Sequence, residues 1–180
     1  MEKYLRRLES IRERLPLWTN DETESQAGAV DTAGPIFVVH GHDEGKAQNV
    51  ARVIERGTGR DVTILREQPN EGRTLIEKFE HHAERASFAV VVLTGDDEGG
   101  LADGNERQPR GRQNVIFELG FFFGLLGRNR VVVLMAPGVE APSDVHGLVY
   151  ISLDNVGAWK QDLARELDAA GIAVRRERMP

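Results

Sequence analysis

Ile36-Phe37-Val38-Val39, then His40-Gly41-His42-Asp43, then a helical stretch from about Glu44 to Arg56: this run decides the fold. Four consecutive apolar residues read as a strand covered on both faces, because a half-covered strand would alternate apolar with polar. The same unit recurs downstream. Val62-Thr63-Ile64-Leu65 is a second strand, followed by a helix from about Thr74 to Arg85. Phe88-Ala89-Val90-Val91-Val92-Leu93 is a third, leading through a long loop into an apolar helix over residues 115–126. Val131-Val132-Val133-Leu134-Met135 is a fourth, and Leu148-Val149-Tyr150-Ile151 a shorter fifth. A last helix from Trp159 to Ala170 stops at Gly171, as a glycine C-cap requires. Strict alternation of apolar strands and helices predicts an α/β, flavodoxin-like fold. Its five strands form a parallel sheet in the order 2-1-3-4-5, with helices on both faces.

Upstream of Ile36 the pattern differs. Leu5, Leu8, Ile11 and Leu15 recur at helical spacing among arginines and glutamates, which predicts an amphipathic helix over 1–17. Residues 18–35 are polar, acidic and aperiodic, and read as a flexible linker running to Gly34-Pro35. The globular domain is expected over 36–175. A helix that short is marginal alone, so its apolar stripe calls for a docking surface, a second copy or a partner.

Composition narrows the function. The chain has 180 residues, 40% of them hydrophobic, enough for one real core. Its net charge of −6 argues against a general nucleic-acid binder. No stretch approaches the roughly 18 apolar residues of a membrane span. The charged start lacks the apolar segment of a secretory signal. No cysteine is present, which removes disulfides, thiolate zinc sites and a cysteine nucleophile. Together these features fit a cytoplasmic protein.

In such sheets ligands bind beyond the carboxyl ends of the strands, where the strand order reverses. After the first strand, Gly41 permits a tight turn, and Asp43 is a natural N-cap for a helix whose free N–H groups suit a phosphate. His40 and His42 lack a third ligand in the sequence, so no metal is expected. After the second strand, Arg66-Glu67-Gln68-Pro69-Asn70-Glu71-Gly72-Arg73 is turn-rich, and Arg73 leads into the next helix, within reach of a phosphate. After the third, the long segment from Gly95 through Arg110 has the length of a lid or binding loop.

That segment ends beside Asn114 and Glu118. Glu118 is the single charged residue in Val115-Ile116-Phe117-Glu118-Leu119-Gly120-Phe121-Phe122-Phe123-Gly124-Leu125-Leu126. Helical spacing gives it one face with Asn114, Phe121, Phe122 and Leu125. An unpaired carboxylate there costs several kcal/mol to bury. Either a cation such as Arg112 or Arg128 neutralises it, or it is protonated, or it faces a cavity.

Four motifs follow one another along the chain: His40-Gly41-His42-Asp43, Glu67-Gln68-Pro69-Asn70-Glu71-Gly72-Arg73-Thr74, Leu93-Thr94-Gly95-Asp96-Asp97 and Arg112-Gln113-Asn114-Val115-Ile116-Phe117-Glu118-Leu119-Gly120. From about Pro35 to Ile151 the chain resembles the prokaryotic TIR-like domain of CBASS and Pycsar antiphage effectors, including those fused to STING. The Arg-Gln-Asn-apolar-Phe-Glu-Leu-Gly run is the most specific part of that likeness. The resemblance implies an NAD+ glycohydrolase acting when assembled into a homo-oligomer, with Glu118 the essential glutamate and residues 66–73 gating the substrate. It also implies a cyclic-nucleotide-sensing partner or domain, for which residues 1–35 are too short. NAD+ is then substrate, and no cofactor is implied. The expected substrate-binding set is His40, Gly41, His42, Asp43, Lys46, Glu67, Gln68, Arg73, Asp97, Arg112 and Asn114. Within it, Lys46 or Arg73 would hold the pyrophosphate, and Arg112 or Asn114 would orient Glu118.

The chemistry suits the inventory. Breaking the nicotinamide N-glycosidic bond develops positive charge on the ribose, as in glycosidases, and nicotinamide leaves neutral. One well-placed carboxylate can stabilise that cation without a strong general acid. Two rivals remain open. One is N-glycoside transfer of the nucleoside deoxyribosyltransferase kind, which also uses a glutamate on this fold. The other is a non-catalytic TIR-like self-association module in which Glu118 is structural.

Overall fold

The structure is a computed structural model that describes residues 33–100, 103, 106–142 and 149–179. The amphipathic helix expected over 1–17 and most of the linker lie outside the described residues, as does Leu148 at the start of the expected fifth strand.

The core strands are β1 (Ile36–His40), β2 (Val62–Ile64), β3 (Phe88–Leu93), β6 (Val131–Met135) and β7 (Val149–Ser152). Every pairing among them is parallel, and their order is β2-β1-β3-β6-β7. Counted as five core strands this is the expected 2-1-3-4-5 arrangement. The order reverses between β1 and β3. Connections leave these two strands in opposite directions, which opens a crevice above their carboxyl ends.

Alternation within each apolar strand serves both layers. Ile36, Val38, Val90, Val92, Val132 and Leu134 pack into one cluster with Val50 and Ile54 of α1 (Glu44–Thr58) and Leu163 and Leu167 of α4 (Trp159–Ala169). On the opposite face Phe37 meets Phe79 of α2 (Leu75–Ala83) edge-on at 6.0 Å and Phe122 of α3 (Gln113–Leu126) at 4.8 Å. Such aromatic pairs add about 0.5–1.5 kcal/mol each beyond the area they bury. They also fix the height of α3 over β1, which sets where Glu118 sits.

Local chemistry ends the elements where it should. Asp43 caps α1, accepting from the Lys46 N–H at 2.9 Å, and the left-handed Gly59 (φ 69°) closes it. Thr74 and Glu77 form a reciprocal capping box at the start of α2, so Thr74 precedes the helix instead of opening it. The chain end returns to α1: the Arg175 N–H donates to the Gly57 carbonyl at 2.7 Å, and Met179 is buried.

Two elements differ from the expectation. Strand β2 stops at Ile64, because β1 pairs with it only as far as Val38; Leu65–Glu67 then turn as a 3-10 helix. The long connection after β3 is not irregular either. Its ends pair antiparallel as β4 (Asp97–Gly99) and β5 (Gln108–Arg110), and the Glu140 N–H docks on the Pro109 carbonyl at 2.8 Å. Tertiary contact holds this hairpin, and the Arg110 side chain lies across the bare backbone of Gly99, its guanidinium 2.4 Å from where a Cβ would stand.

Candidate functional site

The crevice above β1 contains a cleft of ≈ 370 Å³. Six of the residues singled out from the sequence line it: His40, Gly41, His42, Arg112, Asn114 and Glu118. Leu65, Arg66 and Leu75 complete the wall on the β2 side. A more apolar groove of ≈ 230 Å³ shares Leu65, Leu75, Asn114 and Glu118 with the cleft and adds Ile76, Phe79 and Phe117. Glu118 therefore stands where a polar cleft meets an apolar groove. Asn114, one helical turn earlier, borders the same two spaces.

The aromatic cluster explains this placement. Phe121 and Phe122 turn inward onto Phe79 and Phe37, and Leu119 is buried beside them. With those residues committed to the core, Glu118 and Asn114 are left over the carboxyl end of β1. Among the described residues Glu118 makes no hydrogen bond and no ion pair. Desolvation with nothing to offset it raises its carboxyl from the ordinary 4.5 to about 7.

Neither arginine weighed as a neutralising partner is paired with it. The Arg112 guanidinium lies 2.7 Å from Nε2 of His42. Arginine can only donate, so in this contact His42 Nε2 is the acceptor, which calls for the Nδ1–H tautomer. Arg128 sits at the far end of α3, in the turn Arg128–Arg130.

The other expected substrate-binding residues are not brought into the cleft. Asp43 is the α1 cap and is ion-paired with Lys46, whose ammonium holds its carboxyl below the usual carboxylate range. Lys46 borders a separate hollow of ≈ 210 Å³ beside Asp154 and Trp159. Glu67 is hydrogen-bonded to Gln48, and the Gln68 amide donates to the Ile64 carbonyl at 3.4 Å. Arg73 pairs with Glu71 at 2.5 Å. Asp97 opens β4, opposite Arg110.

Two residues outside the expected substrate-binding set belong to the site. Arg66 lines the cleft and pairs with Glu44 at 2.5 Å. Asp96, not Asp97, touches the turn after β1, accepting from the His42 N–H at 3.2 Å. The signal for Asp96 was the glycine at 41, where a side chain would have no room. Among the described residues no group of three or more histidines and carboxylates could hold a metal, and no helix is long and apolar enough to cross a membrane.

Comparison with known sequences adds a family. Residues 35–155 match the profile described as "CAP12/Pycsar effector protein, TIR domain". The chain is 46% identical over 143 residues to the protein YuaY of Escherichia coli strain K12, covering 79% of this chain and 48% of YuaY. It is 32% identical over 127 residues to protein tirC of Dictyostelium discoideum, covering 65% of this chain and 63% of tirC. It is 38% identical over 107 residues to the Pycsar effector protein BcPycTIR of Burkholderia cepacia, covering 58% of this chain and 34% of that protein. The chain thus spans between a third and two thirds of the length of these relatives.

Proposed function

The chain belongs to the TIR-domain family of CAP12 and Pycsar effectors, and from that premise we propose that it is an NAD+ glycohydrolase of a bacterial antiphage defence system, working when copies assemble. One observation carries the reading: Glu118 is a partly buried carboxylate with no cation beside it among the described residues, in a cleft at the strand-order reversal. A structural glutamate in that position would have a partner. A carboxylate awaiting a cation would not.

On this reading each wall of the cleft has work to do. Bond cleavage leaves the electron pair on the nicotinamide nitrogen and positive charge on the ribose, which the ionised Glu118 stabilises; water then adds to the ribose and its proton is released to solvent. Asn114, lining the cleft beside Glu118, would bond a ribose hydroxyl. Arg66 and Arg112 are the two cations lining the cleft, and they suit the pyrophosphate. The apolar groove beyond Glu118 offers a flat wall for a ring.

Assembly has its own support. Leu75 is 68% exposed, Ile76 46% and Phe117 58%, and all three border the groove next to Glu118. A contiguous apolar surface at the mouth of a site suits contact with a second copy. The same surface favours the rival reading of a non-catalytic self-association module. Incubation with an etheno-dinucleotide over a range of protein concentrations separates the two. Fluorescence rising more steeply than in proportion to protein supports the proposal. No cleavage at any concentration supports the module.

A further inference from the structure

Asp96 is held at both oxygens. Its Oδ1 accepts from the Thr94 hydroxyl at 3.0 Å, within its own loop after β3. Its Oδ2 accepts from the His42 N–H at 3.2 Å, in the turn after β1. Contact with that turn is close: a Cβ on Gly41 would stand 1.6 Å from Oδ2. Gly41 has no positive φ, so it is space and not backbone conformation that favours glycine here: any Cβ would displace the Asp96 carboxylate. The carboxylate occupies the volume where any other residue's side chain would begin.

The residue so latched also carries the ring that meets Arg112. With the backbone N–H of His42 tied to Asp96, Nε2 lies 2.7 Å from the Arg112 guanidinium, across the cleft mouth from its own strand. The connection after β1 and both ends of the one between β3 and α3 are joined by this single chain of contacts. Arg112 and His42 share the cleft with Glu118, along with the other titratable groups His40 and Arg66.

We propose that Asp96 is a positioning residue: through the Gly41–His42 turn it orients the His42 ring, which holds the Arg112 guanidinium as the fixed anion clamp of the Glu118 cleft. The kinetic consequence rests on the NAD+ glycohydrolase reading; the structural consequence does not. Held by His42 on one side, the guanidinium keeps its remaining N–H donors for a pyrophosphate and is kept from neutralising Glu118. Without the latch the ring and the guanidinium become mobile, and substrate binding weakens more than the chemical step.

The test has an arm that needs no activity. The bond from Arg112 fixes His42 in the Nδ1–H tautomer, and imidazole nitrogens of the two tautomers differ in their 15N shifts. Spectra are recorded at pH 8 on wild type, Asp96→Ala, Asp96→Asn and Gly41→Ala, with His42→Gln assigning the resonance among the five histidines. Asp96→Asn keeps the shape and guards against a folding defect in the alanine variant. The expected result is Nδ1–H in wild type and a shift toward Nε2–H in the Asp96 and Gly41 variants. Alongside it, KM for the dinucleotide rises roughly tenfold with kcat changed less than about twofold, as loss of a charge-assisted phosphate contact implies. Retention of the Nδ1–H tautomer and the wild-type KM in both Asp96 variants would overturn the proposal. So would a fall in kcat and melting temperature at unchanged KM, since that marks a purely structural role. Absence of nicotinamide release from wild type would overturn the enzymatic reading instead, and the tautomer arm would still decide the role of Asp96.

Discussion

The Phe37 ring on β1 and the Phe122 ring on α3 lie 4.8 Å apart, tilted at 51°, and both are fully buried. Phe122 is one helical turn beyond Glu118. This contact between a central strand and the glutamate's own helix therefore sets how far Glu118 stands above the carboxyl end of β1.

Phe122→Ala should cost about 3–5 kcal/mol, the range for emptying a large aromatic from a core. Chemical denaturation measures it directly. Phe122→Leu should cost much less and retain activity. Equal losses for both variants would mean that ring geometry, not volume, holds the helix.

The raised carboxyl of Glu118 has a consequence for stability. Its folded value, about 7, lies above the unfolded value near 4.5, so the folded state binds this proton more tightly. The associated stability is fully present below pH 4.5 and is lost as pH rises through 7. Glu118→Gln removes the dependence. Its melting temperature should exceed wild type at pH 8, by an amount equivalent to no more than about 3 kcal/mol, and converge with it near pH 4.5. A variant less stable than wild type at pH 8 would point to a cation paired with Glu118.

Activity should follow the same titration. On the NAD+ glycohydrolase reading the ionised carboxylate stabilises the ribosyl cation, so kcat/KM is expected to rise with pH and level off above about 7. The positive nicotinamide ring of bound substrate favours the ionised form, so the limb in kcat should lie at lower pH. A rate that falls as pH rises through 7 would assign Glu118 the role of an acid.

Surface apolar residues at the groove give a fourth expectation. Phe117 is 58% exposed, so Phe117→Asp should leave the melting temperature within a degree or two while abolishing the steep concentration dependence of cleavage. Sedimentation and the etheno-dinucleotide assay read the two halves. Unchanged assembly would place the contact on another surface.

Much of this was legible in the chain. Short unbroken apolar runs rich in β-branched residues, such as Phe88–Leu93, read as strands buried on both faces, and their alternation with helices leaves few topologies. Glu118 stood out because nothing else in its helix is charged. What could not be read is where loop side chains point. Lys46 sits in the turn nearest the cleft but pairs with Asp43, and Arg73 is drawn off by Glu71. Asp96 and Asp97 are neighbours with identical chemistry, yet one latches the His42 turn and the other begins a hairpin. That hairpin was hidden for a related reason. Asp97-Glu98-Gly99 and Gln108-Pro109-Arg110 carry turn residues, and only contact with Glu140 and a glycine backbone makes them strands.

The central claim is that Glu118 is an uncompensated carboxylate built for a cationic transition state. Nicotinamide release and melting temperature of Glu118→Gln, measured together at pH 8 on one preparation beside wild type, test it most directly. The account predicts that release disappears while the melting temperature holds or rises. A variant that melts well below wild type and still releases nicotinamide would contradict it.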